Sequence, residues 1–240
     1  MFKKIIDSLV STAIYGVAGL CFGLWAFFLI FVSVFHTGVV FEKLIKMACR
    51  SVLFCAGIRV KAEGLEHIAP NTQYIIMMNH VNIFDIFVFY GRFPGKARAV
   101  EEESHFNWPV YGWLVRRIGI IPINRKSGLK ALNALKKAGD LIKAKKDFSF
   151  AVLPEGTRTR TGKLGVFKKG GFLLALESGL DILPVIQMGA YEIQRKGRRT
   201  IKPGKIRLIF EKPIPSRDFS KENVSELIEN TRHVFLKYVE

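Results

Sequence analysis

A long stretch without any formally charged residue constrains this chain most. It runs from Ser8 to Phe41, a span of 34 residues that is dense in Phe, Leu, Val, Ile and Gly. It is too long for the core of a signal peptide and lacks a small-residue cleavage pattern, so we interpret it as part of the mature chain. It exceeds the roughly 20 residues that one spanning helix needs, yet it is too short for two spans and a turn.

The residues on either side of this stretch favour a hairpin that enters one leaflet and returns. Basic residues precede and follow it, at Lys3, Lys4, Lys43, Lys46 and Arg50. Both ends therefore carry the signature of cytoplasmic segments. The predicted turn is His36-Thr37-Gly38, and the apolar residues from Val40 to Leu53 then recur at helical spacing. They predict an amphipathic helix with a basic stripe, suited to an anionic headgroup layer, while a single spanning helix stays open as the alternative.

The whole chain has 240 residues, enough for one α/β domain and an appendage. The expected division is a membrane-associating helical hairpin over residues 1–57 and an α/β domain over residues 58–240. The formal net charge of +17 implies an anionic partner, which is a nucleic acid, an anionic membrane surface or a phosphorylated substrate.

Beyond Gly57, apolar segments alternate with basic and turn-forming segments. The predicted strands are 59–63, 73–78, 97–100, 120–123, 148–153, 182–187 and 206–210. The predicted helices are 83–90, 108–117, 129–142, 169–178 and a last helix that begins at a Ser220 cap. Strands that alternate with helices predict an α/β fold, with helices on the faces of a sheet.

A histidine and a carboxylate follow the second predicted strand. His80 and Asp85 stand five positions apart, where the strand gives way to a helix. A carboxylate bonded to one ring nitrogen fixes the tautomer and leaves the other nitrogen free to accept a proton. No Ser or Cys nucleophile belongs to this pattern, so we expect a substrate hydroxyl to be the nucleophile.

Three further segments offer cations or backbone amides where an apolar strand stops. They are Asn124-Arg125, Glu155 to Arg158, and Lys168 to Gly171, the last at a predicted helix start whose N–H groups favour anions. Together they predict a phosphate site beside a proton acceptor. The spacing of the glycines excludes a P-loop, and the chain has neither a G-x-S-x-G elbow nor clustered His and Cys ligands for zinc.

Four ordered blocks of this sequence resemble those of the glycerolipid acyltransferase family, in particular its bacterial members that acylate 1-acylglycerol-3-phosphate. The blocks are Asn79-His80-x4-Asp85, Pro122-Ile123-Asn124-Arg125, Pro154-Glu155-Gly156-Thr157-Arg158 and Leu183-Pro184-Val185. The similarity covers about Arg59 to Pro215. It implies a mixed sheet flanked by helices, with an N-terminal two-helix hairpin that docks on the membrane.

The resemblance also implies a role for each matching residue. His80 would be the general base that removes a proton from the glycerol hydroxyl, and Asp85 would orient its ring. Arg125 and Arg158 would hold the acceptor phosphate, and a backbone N–H near Gly156 is the expected oxyanion donor. The implied substrate-binding residues are Asn79, Arg125, Glu155, Gly156, Thr157, Arg158 and Pro184.

The implied reaction transfers an acyl chain from acyl-CoA or acyl-carrier protein to lysophosphatidic acid. It uses no metal and no cofactor, and the expected partners are membrane lipids and not nucleic acid. The expected location is the bacterial inner membrane, with the catalytic domain facing the cytoplasm.

One departure concerns Glu101-Glu102-Glu103, which stand where many family members have lysines. Another lysophospholipid or hydroxyl-bearing lipid is therefore an alternative acceptor, and a non-catalytic lipid-binding module is an alternative of a different class.

Overall fold

The computed structural model describes residues 2–35, 38–124, 128–145 and 147–239. Within these ranges the α-helices are α1 (Phe2–Phe35), α2 (Val39–Cys55), α3 (Asp85–Arg92), α4 (Tyr111–Ile118), α5 (Gly128–Lys145), α6 (Lys169–Ser178), α7 (Ala190–Ile193) and α8 (Val224–Leu236). The strands are β1 (Ile58–Glu63), β2 (Ile75–Met78), β3 (Ala97–Glu102), β4 (Ile121–Ile123), β5 (Ser149–Val152), β6 (Ile182–Met188) and β7 (Gly204–Phe210).

The strands form one seven-stranded mixed sheet in the order β1-β7-β6-β2-β5-β3-β4. Neighbours from β6 to β4 are parallel, whereas β7 is antiparallel to β6 and parallel to β1. This mixed sheet with helices on both faces confirms the predicted fold class.

Strand β2 shows why the central strands are continuous apolar runs in the sequence. Ile76 and Met78 belong to the core that α2 and α3 cover, whereas Ile75 and Met77 belong to the core under α5, α6 and α8. Successive side chains of a strand point to opposite faces, so a strand covered on both faces needs apolar residues at every position.

The last helix begins later than predicted. The Ser220 cap was wrong, because α8 starts at Val224 and Asn223 occupies the cap position. The Asn223 Oδ1 atom accepts a hydrogen bond from the Ser220 N–H at 2.6 Å, which closes a turn before the helix.

The two N-terminal helices pack on each other and on the sheet domain. On α2 the apolar residues Ile45, Ala48 and Leu53 are buried, and they join the core that also covers β1 and α3. Basic residues of α2 reach the end of α3: the Arg50 Nε atom donates to the Gly91 carbonyl at 2.7 Å. Of the predicted turn, His36 and Thr37 lie outside the described residues. Thus one face of α2 packs on the sheet domain.

Helix α1 has one face on the domain and one face exposed. Its buried residues include Ser11, Ala18, Ala26, Leu29 and Ser33. The exposed face is apolar, with Leu9, Leu20, Leu24, Phe27, Phe31 and Val34 each more than 60% exposed. By length and composition, Lys4–Phe35 is a candidate membrane span.

Candidate active site

The predicted functional residues gather at one edge of the sheet. Strands β2, β5 and β3 are neighbours and run parallel. Their carboxyl ends therefore meet at the same edge, and they carry His80, Glu155 and Glu101 respectively. A cavity of about 810 Å³ opens there, with His80 and Asp85 in its wall.

His80 and Asp85 form a carboxylate–imidazole pair. The His80 Nδ1 atom lies 2.7 Å from Asp85 Oδ2, and the two side chains are 12% and 4% exposed. Asp85 Oδ2 also accepts from the Val81 N–H at 2.8 Å, and Oδ1 accepts from the Asn82 N–H at 2.9 Å. Asp85 is the first residue of α3, where the helix dipole favours a negative charge. A carboxylate so placed accepts the Nδ1 proton and leaves Nε2 of His80 as a proton acceptor.

Asn79 fixes the backbone beneath His80. Its Oδ1 accepts from the Gln187 N–H at 2.8 Å, its Nδ2 donates to the Gln187 carbonyl at 3.0 Å, and its carbonyl accepts from Gln187 Nε2 at 3.0 Å. Asn79 is buried and does not line the cavity. The structure therefore places this predicted substrate-binding residue behind the base, where it holds the loop on β6.

Glu155 is also a buried residue that holds the loops. Its Oε1 accepts from the His80 N–H at 2.8 Å, and its Oε2 accepts from the Gly165 N–H at 2.7 Å. Burial raises the pKa of this carboxyl, although both N–H groups act to lower it. Glu155 does not line the cavity. Its two hydrogen bonds join the loop that carries the base to the loop before α6.

The turn after Glu155 supplies cavity residues of its own. Gly156 and Arg158 line the cavity, and Gly156 has a φ of 67°, a left-handed conformation that favours glycine. The Gly156 N–H donates to the Leu153 carbonyl at 2.9 Å and closes this turn. Thr157 is exposed and outside the cavity, and its hydroxyl accepts from Lys196 Nζ at 2.6 Å.

Two other predicted residues are not brought into the described site. Pro184 is buried in β6, with Met77 of β2 as its neighbour in the register, and it does not line the cavity. Arg125 lies outside the described residues. The structure thus brings together His80, Asp85, Gly156 and Arg158 of the predicted set.

Several cavity residues were not among the predicted site residues. Lys168, Gly170 and Gly171 line it at the start of α6, and Phe22 of α1 belongs to its apolar wall. The sequence signal for the first three was the strand end followed by Lys168 to Gly171, which predicted an anion site. No signal pointed to Phe22, because its stretch was interpreted as membrane-facing throughout.

A smaller apolar pocket lies beside this cavity. It measures about 70 Å³ and shares Phe22, Ile86, Phe87, Tyr90 and Tyr111 with the larger one. Its other lining residues are apolar and come from α1, α2, α4 and Ile120, which follows α4. The base therefore lies in a cavity whose walls continue into apolar space between the helices.

Comparison with known proteins gives a family match and similar relatives. The acyltransferase family model matches residues 59–188. A chloroplastic 1-acyl-sn-glycerol-3-phosphate acyltransferase of Arabidopsis thaliana is 32% identical over 159 residues, which are 65% of this chain and 44% of that protein. The human 1-acyl-sn-glycerol-3-phosphate acyltransferase alpha is 24% identical over 194 residues, 81% of this chain and 68% of that protein. The match thus spans less than two thirds of the length of the Arabidopsis relative and of several other curated relatives.

A solved structure matches nearly the whole chain. It is the 1-acyl-sn-glycerophosphate (LPA) acyltransferase PlsC from Thermotoga maritima, with a TM-score of 0.83 and 27% sequence identity. The match covers 99% of this chain and 97% of that one. It therefore includes the N-terminal helices as well as the sheet domain.

Proposed function

The chain belongs to the acyltransferase family, and we propose that it transfers an acyl chain from a thioester to the sn-2 hydroxyl of 1-acylglycerol-3-phosphate, which forms phosphatidic acid. The observation that carries this proposal is the 2.7 Å His80–Asp85 pair in the wall of a cavity of about 810 Å³ with apolar walls and cationic residues. The relatives named above, which act on this acceptor by name, support the choice of substrate.

The geometry supports base catalysis without a protein nucleophile. His80 Nε2 takes the proton of the acceptor hydroxyl while that oxygen attacks the thioester carbonyl carbon. Asp85 stabilises the imidazolium that results. The tetrahedral intermediate then expels the thiolate, which receives the proton from His80 and leaves as free thiol. Assistance of this kind is worth roughly 10²- to 10⁴-fold in rate.

Cations at one side of the cavity suit the acceptor phosphate. Arg158 and Lys168 both line the cavity, and neither forms a salt bridge with an Asp or Glu in the described part of the chain. Gly170 and Gly171 add the first turn of α6, whose N–H groups favour an anion. We assign the phosphate to this group, with Arg125 as the further residue that the family resemblance implies.

The N-terminal helix supports a position at the membrane surface. Ser11 Oγ accepts from the Ile201 N–H at 3.0 Å near one end of α1, and Arg117 donates to the Ser33 carbonyl near the other end. A helix held on the domain at both ends, with an apolar outer face, suits insertion into one leaflet. The proposed location is the cytoplasmic leaflet of a bacterial inner membrane, where the anionic headgroups attract the basic chain.

The test is acyl transfer by the purified chain in detergent micelles. The release of free thiol is measured from acyl-CoA and from acyl-carrier protein, each with 1-acylglycerol-3-phosphate as acceptor. We expect His80→Ala to lower kcat at least about 100-fold, and the exposed His233→Ala on α8 to leave it unchanged. If the chain binds lipid but releases no thiol from either donor, it is a non-catalytic lipid-binding module and not an acyltransferase.

The phosphate assignment has its own test. We expect Lys168→Gln to raise the KM for the acceptor about tenfold, since a charge-assisted hydrogen bond is worth roughly 1.5–3 kcal/mol. Its neighbour Lys169 is exposed and does not line the cavity, so Lys169→Gln is the matched control. If the two variants have equal KM values for the acceptor, the acceptor phosphate does not bind at the start of α6.

A further inference from the structure

The cavity has a second polar group, at the end of β3 and in the segment that follows. Glu101, His105, Trp108 and Tyr111 all line the same cavity as His80. Glu101 Oε1 lies 2.8 Å from His105 Nδ1, and Oε2 accepts from the Tyr111 hydroxyl at 3.3 Å. The Glu102 N–H donates to Oε1 at 2.9 Å. These contacts hold the carboxylate in a fixed position at the cavity wall.

Three aromatic rings stand beside this carboxylate. The ring centroids of His105 and Trp108 are 4.2 Å apart, those of Trp108 and Tyr111 are 5.9 Å apart, and those of His105 and Tyr111 are 6.5 Å apart. Trp108 is 54% exposed although it lines a cavity with largely apolar walls. A carboxylate next to the Trp108 and Tyr111 rings is an arrangement that attracts an ammonium group, because the faces of these two rings are negative.

The two polar groups of the cavity therefore differ in charge. Arg158 follows β5 and Lys168 precedes α6, and both suit a phosphate. Glu101 is the last residue but one of β3, which is the next strand to β5 in the sheet. Both groups line the same cavity, so we place one lipid headgroup in contact with both. A bare phosphate monoester would occupy the cationic group and leave the carboxylate and its rings without a ligand.

We propose that this cavity also accepts a lysophospholipid whose phosphate is esterified to an ammonium-bearing group. The phosphate lies against Arg158 and Lys168, and the ammonium group lies against Glu101, Trp108 and Tyr111. The reaction at the sn-2 hydroxyl is the one already described, so this inference rests on the proposed function. It makes the Glu101–Trp108–Tyr111 group a determinant of acceptor specificity.

The test compares three acceptors with the full chain in detergent micelles and one acyl thioester. They are 1-acylglycerol-3-phosphate, 1-acylglycero-3-phosphoethanolamine and 1-acylglycero-3-phosphoglycerol. The last two are phosphodiesters of similar size that differ in the ammonium group. We expect kcat/KM for the ethanolamine acceptor to exceed that for the glycerol acceptor about tenfold, the value of roughly one ammonium contact with aromatic rings and a carboxylate.

Matched variants assign the effect to residues. Glu101→Gln and Trp108→Ala should each remove most of the preference for ethanolamine over glycerol. Glu103→Gln and Trp113→Ala should keep it, because both residues are exposed and neither lines the cavity. Circular dichroism in detergent reports whether each variant is folded, and Trp108→Ala serves as the test if Glu101→Gln does not fold.

The outcomes separate this inference from the function on which it rests. Equal use of the two diesters by the wild type, or a preference that survives in both cavity variants, overturns the ammonium site and leaves the reaction in place. Failure to acylate 1-acylglycerol-3-phosphate, with the ethanolamine acceptor used, overturns the proposed acceptor while it supports the ammonium site. Failure with all three acceptors overturns both.

Discussion

At the scale of single residues, Glu155 connects the loop that carries the base to the loop before α6. It accepts from the His80 and Gly165 N–H groups, and burial raises its pKa. A raised pKa means that the folded chain binds this proton more tightly than the unfolded chain does. The contribution of Glu155 to the free energy of unfolding is therefore greatest at acid pH. It falls as the pH rises from the ordinary Glu value of about 4.3 through the higher folded value.

Replacing the Glu155 carboxyl by an amide should remove this decrease in the free energy of unfolding with rising pH. We expect the difference in the free energy of unfolding between the wild type and Glu155→Gln to shrink as the pH rises from about 4 to about 7. The measurement is denaturant unfolding in detergent at each pH, with the exposed Glu229→Gln on α8 as control. A difference that grows over this interval would mean that the two N–H contacts outweigh burial.

The number of sequence positions that separate two contacting residues explains which site residues were predicted from the sequence. His80 and Asp85 are five positions apart, so a strand end and a helix start suffice to bring them together. Asn79 contacts Gln187 across 108 positions, and Glu155 contacts His80 across 75. Those contacts depend on the order of strands in the sheet, which no local pattern contains. Asn79 and Glu155 were predicted as substrate-binding residues, and their positions behind the base became visible only in the fold.

At the scale of elements, a buried ion pair attaches α2 to β3. Arg98 NH2 lies 2.7 Å from Glu42 Oε1, and their side chains are 19% and 9% exposed. Arg98 NH1 also donates to the Ala97 carbonyl at 2.7 Å. Breaking such a pair leaves an uncompensated charge in the interior, whereas replacing both partners by apolar residues is often neutral.

This difference predicts the stability of two variants. We expect Arg98→Met to lower the free energy of unfolding by about 3 kcal/mol, and Glu42→Met combined with Arg98→Met to regain most of that loss. Chemical unfolding in detergent measures both. If the double variant is no more stable than Arg98→Met, the pair does not account for the loss, and packing of the arginine stem does.

The helices and strands were largely predictable from the sequence, whereas the neighbours of each strand in the sheet were not. Every predicted strand has a counterpart in the sheet, since buried parallel strands read as short apolar runs between turn residues. The antiparallel direction of β7 against β6 and the end-to-end order of the sheet have no such signal. For α2, the helical spacing predicted a helix, but its apolar stripe gave no means to tell a lipid surface from the core that Ile45 and Leu53 enter.

At the scale of the whole molecule, the orientation of α1 decides how the site meets the bilayer. A helix of 34 residues is about 50 Å long at roughly 1.5 Å per residue, which exceeds a hydrocarbon core of about 30 Å. The contacts of Ser11 with Ile201 and of Arg117 with Ser33 keep this helix along the domain. A helix that crossed the bilayer would have to break one of these contacts or carry charged surface into lipid. We therefore propose that α1 lies in one leaflet, with Phe22 at the cavity and its exposed apolar face in the acyl chains.

Cysteine labelling from one side of the membrane distinguishes the two orientations. In a background without Cys21, Cys49 and Cys55, Lys4→Cys places a single thiol in the first turn of α1, and Lys43→Cys places one in α2, beyond the other end of α1. Both positions are exposed. We expect a membrane-impermeant maleimide to label both thiols in inside-out vesicles and neither in right-side-out vesicles, because both ends of a helix in the cytoplasmic leaflet face the cytoplasm. Detergent-solubilised samples give the full extent of labelling. If Lys4→Cys reacts only from the opposite side to Lys43→Cys, α1 spans the bilayer, and its contacts with Ile201 and Arg117 do not both persist in the membrane.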